Sequence, residues 1–243
     1  MSSIGIIGFG RFGALAARYL SANFSVVVST RSDKDEAIRA CGARPADFAT
    51  ACGQAVVILC TPISAMPATL QRVAPLLRED ALVVDVCSVK VYPVQWMREL
   101  LPANVSILPT HPMFGPDSAA DSLQGCKIVL CPERIDSDRY EKITSWLAGR
   151  GLVVIESTAQ EHDEKIAVSL SLTHFIGRSL SAFGARDLDI DTEGYKRLMH
   201  ILGVVSHDTW QLFEDMHTYN PYAKEKREAF IAAMADIHER LNR

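Results

Sequence analysis

The hexapeptide Gly8-Phe9-Gly10-Arg11-Phe12-Gly13 constrains this chain more than any other feature, because of where it stands. It follows the apolar run Ile4-Gly5-Ile6-Ile7 and opens an amphipathic stretch from Arg11 to Leu20, so G-x-G-x-x-G falls on a strand–turn–helix junction. The first glycine makes the tight turn and the second lets backbone approach a pyrophosphate. The helix N-terminus beyond them supplies partial positive charge. Gly8, Phe9, Gly10, Arg11, Phe12 and Gly13 are therefore expected to bind a dinucleotide.

The rest of the first two-thirds agrees with that start. Val26-Val27-Val28, Val56-Val57-Ile58-Leu59 and Leu82-Val83-Val84 are continuous apolar runs, as parallel strands covered on both faces require. Ser64–Leu77 and Val94–Leu101 read as helices between strands. Ser106-Ile107-Leu108, Lys127-Ile128-Val129-Leu130 and Leu152-Val153-Val154-Ile155 extend the sheet, with a helix from about Asp138 to Leu147. The alternation predicts a Rossmann-like, doubly wound α/β domain with a mostly parallel sheet over residues 1–156. After Glu156 strand character ends. Thr158 can cap a long helix toward Phe183, and Tyr195–Leu202, Thr209–Met216 and Ala223–Leu241 follow as helices. Residues 157–243 thus form a smaller all-helical domain, small enough to need a partner surface and to suggest a homodimer built through it.

Bulk properties remove several function classes. A net charge of -4 leaves nothing to neutralise a row of phosphates, which argues against nucleic acid. No apolar run reaches the roughly 18 residues of a membrane span, and because the start Met1-Ser2-Ser3-Ile4 runs straight into a strand, neither a signal nor a transit peptide is expected. The six cysteines form no Cys-x-x-Cys pair, so reduced thiols in a cytoplasmic protein are expected, with no metal site.

Chemistry gathers at the carboxyl ends of the strands, where open α/β sheets bind ligands. The second strand ends Ser29-Thr30-Arg31-Ser32-Asp33. Arg31, with the hydroxyls of Ser29, Thr30 and Ser32, suits a 2′-phosphate, because the guanidinium fork matches phosphate oxygens. This favours NADP, with NAD possible through Asp33, which can equally start the next helix. Cys60-Thr61-Pro62 follows the Val56–Leu59 run and reads equally as a turn beside the dinucleotide or as a helix start. Ser88 and Lys90 follow Val83-Val84-Asp85-Val86; alone they would be a helix cap and a solvated lysine. His111 stands just past the next strand, held by Pro112 and followed by Phe114-Gly115-Pro116. A histidine prepositioned at that edge suits a general base.

Gly8-x-Gly10-x-x-Gly13, Asp85-x-x-Ser88-Val89-Lys90, Thr110-His111-Pro112-Met113-Phe114-Gly115-Pro116, Glu161-His162-Asp163 and Thr173-His174-x-x-Gly177-Arg178 occur in that order. Together they resemble the prephenate/arogenate dehydrogenases of tyrosine biosynthesis. The phenylalanine in the histidine motif and Arg31-Ser32-Asp33 look most like the plant-type arogenate branch. The resemblance implies oxidative decarboxylation of a cyclohexadienol, arogenate to tyrosine or prephenate to 4-hydroxyphenylpyruvate. It gives His111 the proton of the ring hydroxyl and makes Ser88 its hydrogen-bonding partner. Lys90 would orient the nicotinamide side of the site or a carboxylate. His174 would line the substrate pocket, with Arg178 on the same helix face. His162 reads as a capping and hinge element.

Two departures bear on the substrate. Bacterial prephenate-type members carry an arginine that grips the side-chain carboxylate, and His200 stands in its place within Gly194-Tyr195-Lys196-Arg197-Leu198-Met199-His200. Arg197, Arg178 and His200 are then the candidates for that carboxylate. Asp208 lines up where arogenate-preferring relatives carry an acid. A carboxylate attracts the ammonium of arogenate and repels the keto group of prephenate, although Asp208 could simply cap the helix after it. The competing readings are another two-domain NAD(P)-dependent reductase, of the pyrroline-carboxylate or β-hydroxyacid type, and a dinucleotide-binding sensor without turnover.

Overall fold

The computed structural model describes residues 3–243; Met1 and Ser2, on which the reading of the N-terminus partly rests, lie outside the described residues. Two compact units follow one another along the chain, the first ending at Ala159 and the second spanning Gln160–Arg243.

The first unit is built on eight strands: β1 (Ser3–Ile7), β2 (Ser25–Ser29), β3 (Arg44–Pro45), β4 (Val56–Leu59), β5 (Leu82–Asp85), β6 (Ser106–Pro112), β7 (Lys127–Leu130) and β8 (Val153–Glu156). Their spatial order is β3-β2-β1-β4-β5-β6-β7-β8. The pairs from β3 to β6 are parallel, β7 runs antiparallel to β6, and β8 is parallel to β7. The helices are α1 (Arg11–Ser21), α2 (Asp35–Ala40), α3 (Phe48–Cys52), α4 (Met66–Val73), α5 (Val91–Leu100) and α6 (Ser137–Gly149). On one face Ala17, Leu20 and Phe24 pack on Ile4, Ile6, Val26 and Val28. On that same face Tyr140, Ile143 and Leu147 of α6 pack on Leu82, Leu108 and Leu130, and Phe24 meets Trp146 at 5.2 Å between ring centres. The other face carries α3, laid so close that a Cβ on Gly5 would stand 1.8 Å from the Ala51 carbonyl oxygen. Right-handed crossovers place α4 and α5 on that face too.

The second unit is helical. The chain leaves β8 into α7 (Ala159–Ile166), passes through a π-helical segment at Ala167–Leu172, and continues as α8 (Thr173–Phe183), which ends on Gly184 at φ +83°. Then come α9 (Glu193–Ser206), α10 (Trp210–Thr218) and α11 (Ala223–Leu241). Thr192 and Thr209 cap α9 and α10 by accepting from the Tyr195 and Leu212 amides, each at 3.2 Å. Where α8 crosses α9, a Cβ on Gly177 would come within 2.5 Å of Val205 Cγ2.

One expectation needs correction. The continuous helix Ala159–Phe183 is 25 residues long with a mean hydropathy of 1.2 over its best window, long and apolar enough to cross a membrane by those measures alone. It contains Asp163, Glu164, Lys165, His174 and Arg178, and its π-helical and α8 portions pack against α11 and α9.

Candidate active site

In the first unit the fingerprint turn is shaped by contacts that only glycine permits. Gly8 has φ +105°, and a Cβ there would meet the Cys60 carbonyl oxygen at 2.4 Å. A Cβ on Gly13 would meet the Gly8 carbonyl oxygen, also at 2.4 Å. These two glycines let β1, the Cys60-Thr61-Pro62 turn and α1 close on one another. Gly10 differs, since a Cβ there would meet nothing within 4 Å. No protein neighbour requires that glycine, and the open space on its side at the N-terminus of α1 fits a bound pyrophosphate. The turn thus fits a dinucleotide.

A groove of about 900 Å³ runs from Phe9, Gly10 and Arg11 past Asp33 and Lys34 to Arg39. Beside it Arg31 is exposed, with no partner among the described residues. Ser29 is buried, whereas Thr30 is half-buried and Ser32 exposed. Asp33 Oδ1 accepts from the Asp35 amide at 3.4 Å, its helix-starting role. Lys34, overlooked in the sequence, lines that groove and donates to the Phe9 carbonyl at 3.1 Å. Arg11 is committed elsewhere: its guanidinium binds both carboxylate oxygens of Asp117 at 2.6 and 2.8 Å. Phe12 meets Phe114 at 6.2 Å between ring centres, so α1 holds the loop that follows the histidine motif.

His111 lies within β6, not past a strand end. The parallel ladder with β5 stops at the Asp85–Pro109 pair, while Thr110, His111 and Pro112 continue in antiparallel pairing with β7. The histidine therefore extends beyond the carboxyl edge of the parallel strands and is still fixed by a ladder. It is buried, at 5% exposure. Sequence periodicity could not show this, because a Pro-flanked segment gives no sign of its antiparallel partner.

Lys90 takes a different place from the one expected. Its ammonium is fully buried, 2.5 Å from Asp85 Oδ2 and 2.5 Å from the Thr110 carbonyl. Thr110 in turn donates from Oγ1 to the Asp85 carbonyl at 2.7 Å, and the Asp85 carboxylate accepts from the Cys87 amide at 2.9 Å. This lock joins the end of β5 to β6, with Asp85 and Lys90 flanking Ser88 and Thr110 standing directly before His111. The cue was Asp85 at the end of an apolar run, an acid that burial would strand without a cation. Ser88 Oγ is buried and has no hydrogen-bond partner. Leaving a hydroxyl so costs about 1–3 kcal/mol, which a ligand hydroxyl could relieve. The thiols nearby are unreactive: burial, reinforced by Asp85, pushes Cys60 up to about 12 and raises Cys87 as well.

The second unit gathers a separate set. His174 is buried, with Nε2 3.8 Å from Asp208 Oδ2. Burial lowers its pKa, an effect that Asp208 opposes and Arg178 reinforces. Arg178 donates to the Asp208 carbonyl and lies over the rings of Trp210 and Phe213, at 5.7 and 6.0 Å from their centres. Asp208 does not cap α10, because Thr209 does. Arg197 and His200 lie exposed on α9, with Arg197 3.6 Å from Glu193. His162 Nδ1 stands 2.7 Å from Asp163 Oδ1, and the Asp163 carbonyl accepts from Asn220 at 2.8 Å, so this buried pair joins α7 to the turn before α11.

A glycine turn shaped for pyrophosphate, and a buried histidine and free hydroxyl at the carboxyl edge of a doubly wound sheet, define a dinucleotide-binding dehydrogenase. The particular family follows from comparison. The prephenate dehydrogenase nucleotide-binding domain model matches residues 17–156, and a TYRAAT1-like C-terminal domain model matches residues 179–243. Arogenate dehydrogenase 2, chloroplastic, of Arabidopsis thaliana is 34% identical over 98% of this chain and 69% of its own length. Arogenate dehydrogenase 1, chloroplastic, of the same plant is 33% identical over 98% of this chain, which spans only 39% of that protein. Prephenate dehydrogenase of A. aeolicus, solved with hydroxyphenyl propionate and NAD+, superposes with a TM-score of 0.78 at 20% identity, covering 98% of this chain and 90% of that one. The chain belongs to the prephenate/arogenate dehydrogenase family of NAD(P)-dependent oxidoreductases, and its cofactor is a nicotinamide dinucleotide.

Proposed function

We propose that this protein is an NADP-preferring arogenate dehydrogenase. The observation that carries the reading is the Asp85–Lys90–Thr110 lock, which fixes buried His111 and the unpartnered Ser88 hydroxyl at one strand edge. In the reaction His111 accepts the proton of the ring hydroxyl while Ser88 orients that hydroxyl. The nicotinamide supplies the hydride acceptor. Loss of the ring carboxylate as CO₂ leaves an aromatic ring, so the protein's task is mostly alignment. Exposed, unpaired Arg31 with Lys34 nearby supports NADP, since both can pair with a 2′-phosphate. Asp208 beside His174 supports arogenate, whose ammonium a carboxylate attracts. Arg178 is favoured over Arg197 and His200 for the side-chain carboxylate, because it lies beside Asp208.

Ile231, Met234, Ile237 and Leu241 form an exposed apolar stripe along α11, at 48, 56, 57 and 82% exposure, which supports pairing with a second copy through the helical unit. Six cysteines with no disulfide among the described residues support a reducing, cytoplasmic setting.

The test is a spectrophotometric matrix of arogenate and prephenate against NAD and NADP, run on the native chain and on His111→Asn. The native enzyme should turn over fastest with arogenate and NADP. His111→Asn should keep cofactor affinity and lose about 100-fold or more in kcat, the scale of general base catalysis. A variant with the native rate overturns the assignment.

A further inference from the structure

On the sheet face that carries α1 and α6, the core of the first unit is divided. One cluster gathers around Ile4, Ile6, Val26 and Val28, and another around Leu82, Leu108 and Leu130. Val56 of β4 and Val84 of β5 border both clusters and are only half-buried, although central parallel strands are ordinarily covered on both faces. Over these two valines lies an apolar slot of about 470 Å³. Close-packed interiors hold few voids larger than a water molecule, whereas small-molecule sites run from about 300 to 1,000 Å³.

Two matched helix stripes wall the slot: Phe12, Leu15, Ala16, Tyr19 and Leu20 of α1, and Arg139, Lys142, Ile143, Trp146 and Leu147 of α6. Each set follows the i, i+3, i+4, i+7, i+8 spacing of one helix face. The stripes differ in charge. The charged side chains lining the slot among the described residues are Arg139 and Lys142, both cations. Arg139 donates to the Asp80 and Ala55 carbonyls at 3.0 and 3.4 Å and to Ser106 Oγ at 3.3 Å. These neutral acceptors position the guanidinium without neutralising it. Lys142 is exposed at the rim.

We propose that this slot binds a free medium-chain alkanoate, with its chain over Val56 and Val84 and its carboxylate toward Arg139 and Lys142. The chain would take the half-buried valines out of water, and the carboxylate would pair with cations that no acid lining the slot offsets. The same cations repel an apolar amine of equal length. Length fits as well. β4 and β5 have four residues each, roughly 13 Å at the rise of a strand, which an extended chain of about ten carbons spans.

The slot shares no lining residue with the groove beside the fingerprint turn. Its lining does include Phe12 from that turn and Phe114 from the loop after His111, the two rings that meet at 6.2 Å. A bound chain therefore touches both motifs without entering the dinucleotide groove.

Isothermal titration calorimetry of the whole chain with hexanoate, octanoate and decanoate, each below its micelle concentration, tests the slot. Decanoate should saturate one site per chain, and Kd should fall about fourfold for each added methylene, the worth of a buried CH₂. Decylammonium should bind at least about tenfold more weakly than decanoate. Ala16→Phe, which fills the slot from α1, should weaken decanoate by about tenfold or more. Lys142→Glu, at the exposed rim, should weaken decanoate about fivefold and leave decanol unchanged. No saturable binding of decanoate overturns the proposal, as does native affinity in Ala16→Phe. Decanoate, decanol and decylammonium bound alike would make the slot an unselective apolar crevice and overturn the carboxylate assignment. Should Ala16→Phe fail to fold, Lys142→Glu decides, and native decanoate affinity in that variant overturns the proposal. A native chain that binds no decanoate, and whose mass in sedimentation equilibrium halves in Ala16→Phe, would give the slot to a second copy and overturn it too.

Discussion

Lys90 bears a heavy electrostatic load for a single side chain. An ammonium with no exposure is tolerated because partners such as Asp85 and the Thr110 carbonyl, both at 2.5 Å, compensate its charge. Removing the cation strands the carboxylate, so Lys90→Met should cost about 3–5 kcal/mol in urea unfolding of the chain. Replacing both partners by apolar groups should recover part of that loss. Gly10 makes the contrasting case, with nothing within 4 Å of a Cβ. Gly10→Ala should melt within about 2 °C of the native protein, a surface-like change of under 0.5 kcal/mol. Its dinucleotide Kd, read by fluorescence titration, should rise at least tenfold, about 1.4 kcal/mol. The motif named all three glycines, but only tertiary contacts separate Gly8 and Gly13, held by backbone oxygens, from Gly10, which has open space beside it.

At the scale of elements, two contacts organise the units. In the first, β6 outruns β5 and gains β7 as an antiparallel partner, so His111 is held on a ladder instead of a loop. In the second, α8 crosses α9 at Gly177, where Val205 leaves no room for a methyl group. Gly177→Ala should therefore destabilise the helical unit by about 1–3 kcal/mol through overpacking, and Val205→Ala in the same chain should return much of it. Thermal melts of the two single variants and the double variant measure that coupling; strict additivity would mean the helices do not meet there. The long helices were legible and the short α2 and α3 were not: Ala223–Leu241 agrees residue for residue, whereas α9 runs from Glu193 to Ser206 rather than Tyr195 to Leu202, its start set by the Thr192 cap. The π-helical segment at Ala167–Leu172 was not legible, since its insertion leaves the apolar periodicity almost unaltered.

For the whole molecule, the helical unit leaves the α11 stripe of Ile231, Met234, Ile237 and Leu241 facing solvent. If a second copy covers it, Met234→Glu with Ile237→Glu should convert a dimer to a monomer in sedimentation equilibrium; an unaltered mass would place the partner surface elsewhere. The sequence by itself determined the α/β class of the first unit, the helical character of the second and the family. These depend on local periodicity, turn chemistry and spacing along the chain. Only the tertiary structure decided that Lys90 belongs to Asp85, that Thr209 rather than Asp208 caps α10, and that Arg227 on α11 meets His217 on α10. Each of those joins residues from different elements, and burial sets their charge and hydrogen bonding. Local sequence encodes which side chains are present; the low-dielectric interior decides which of them must pair.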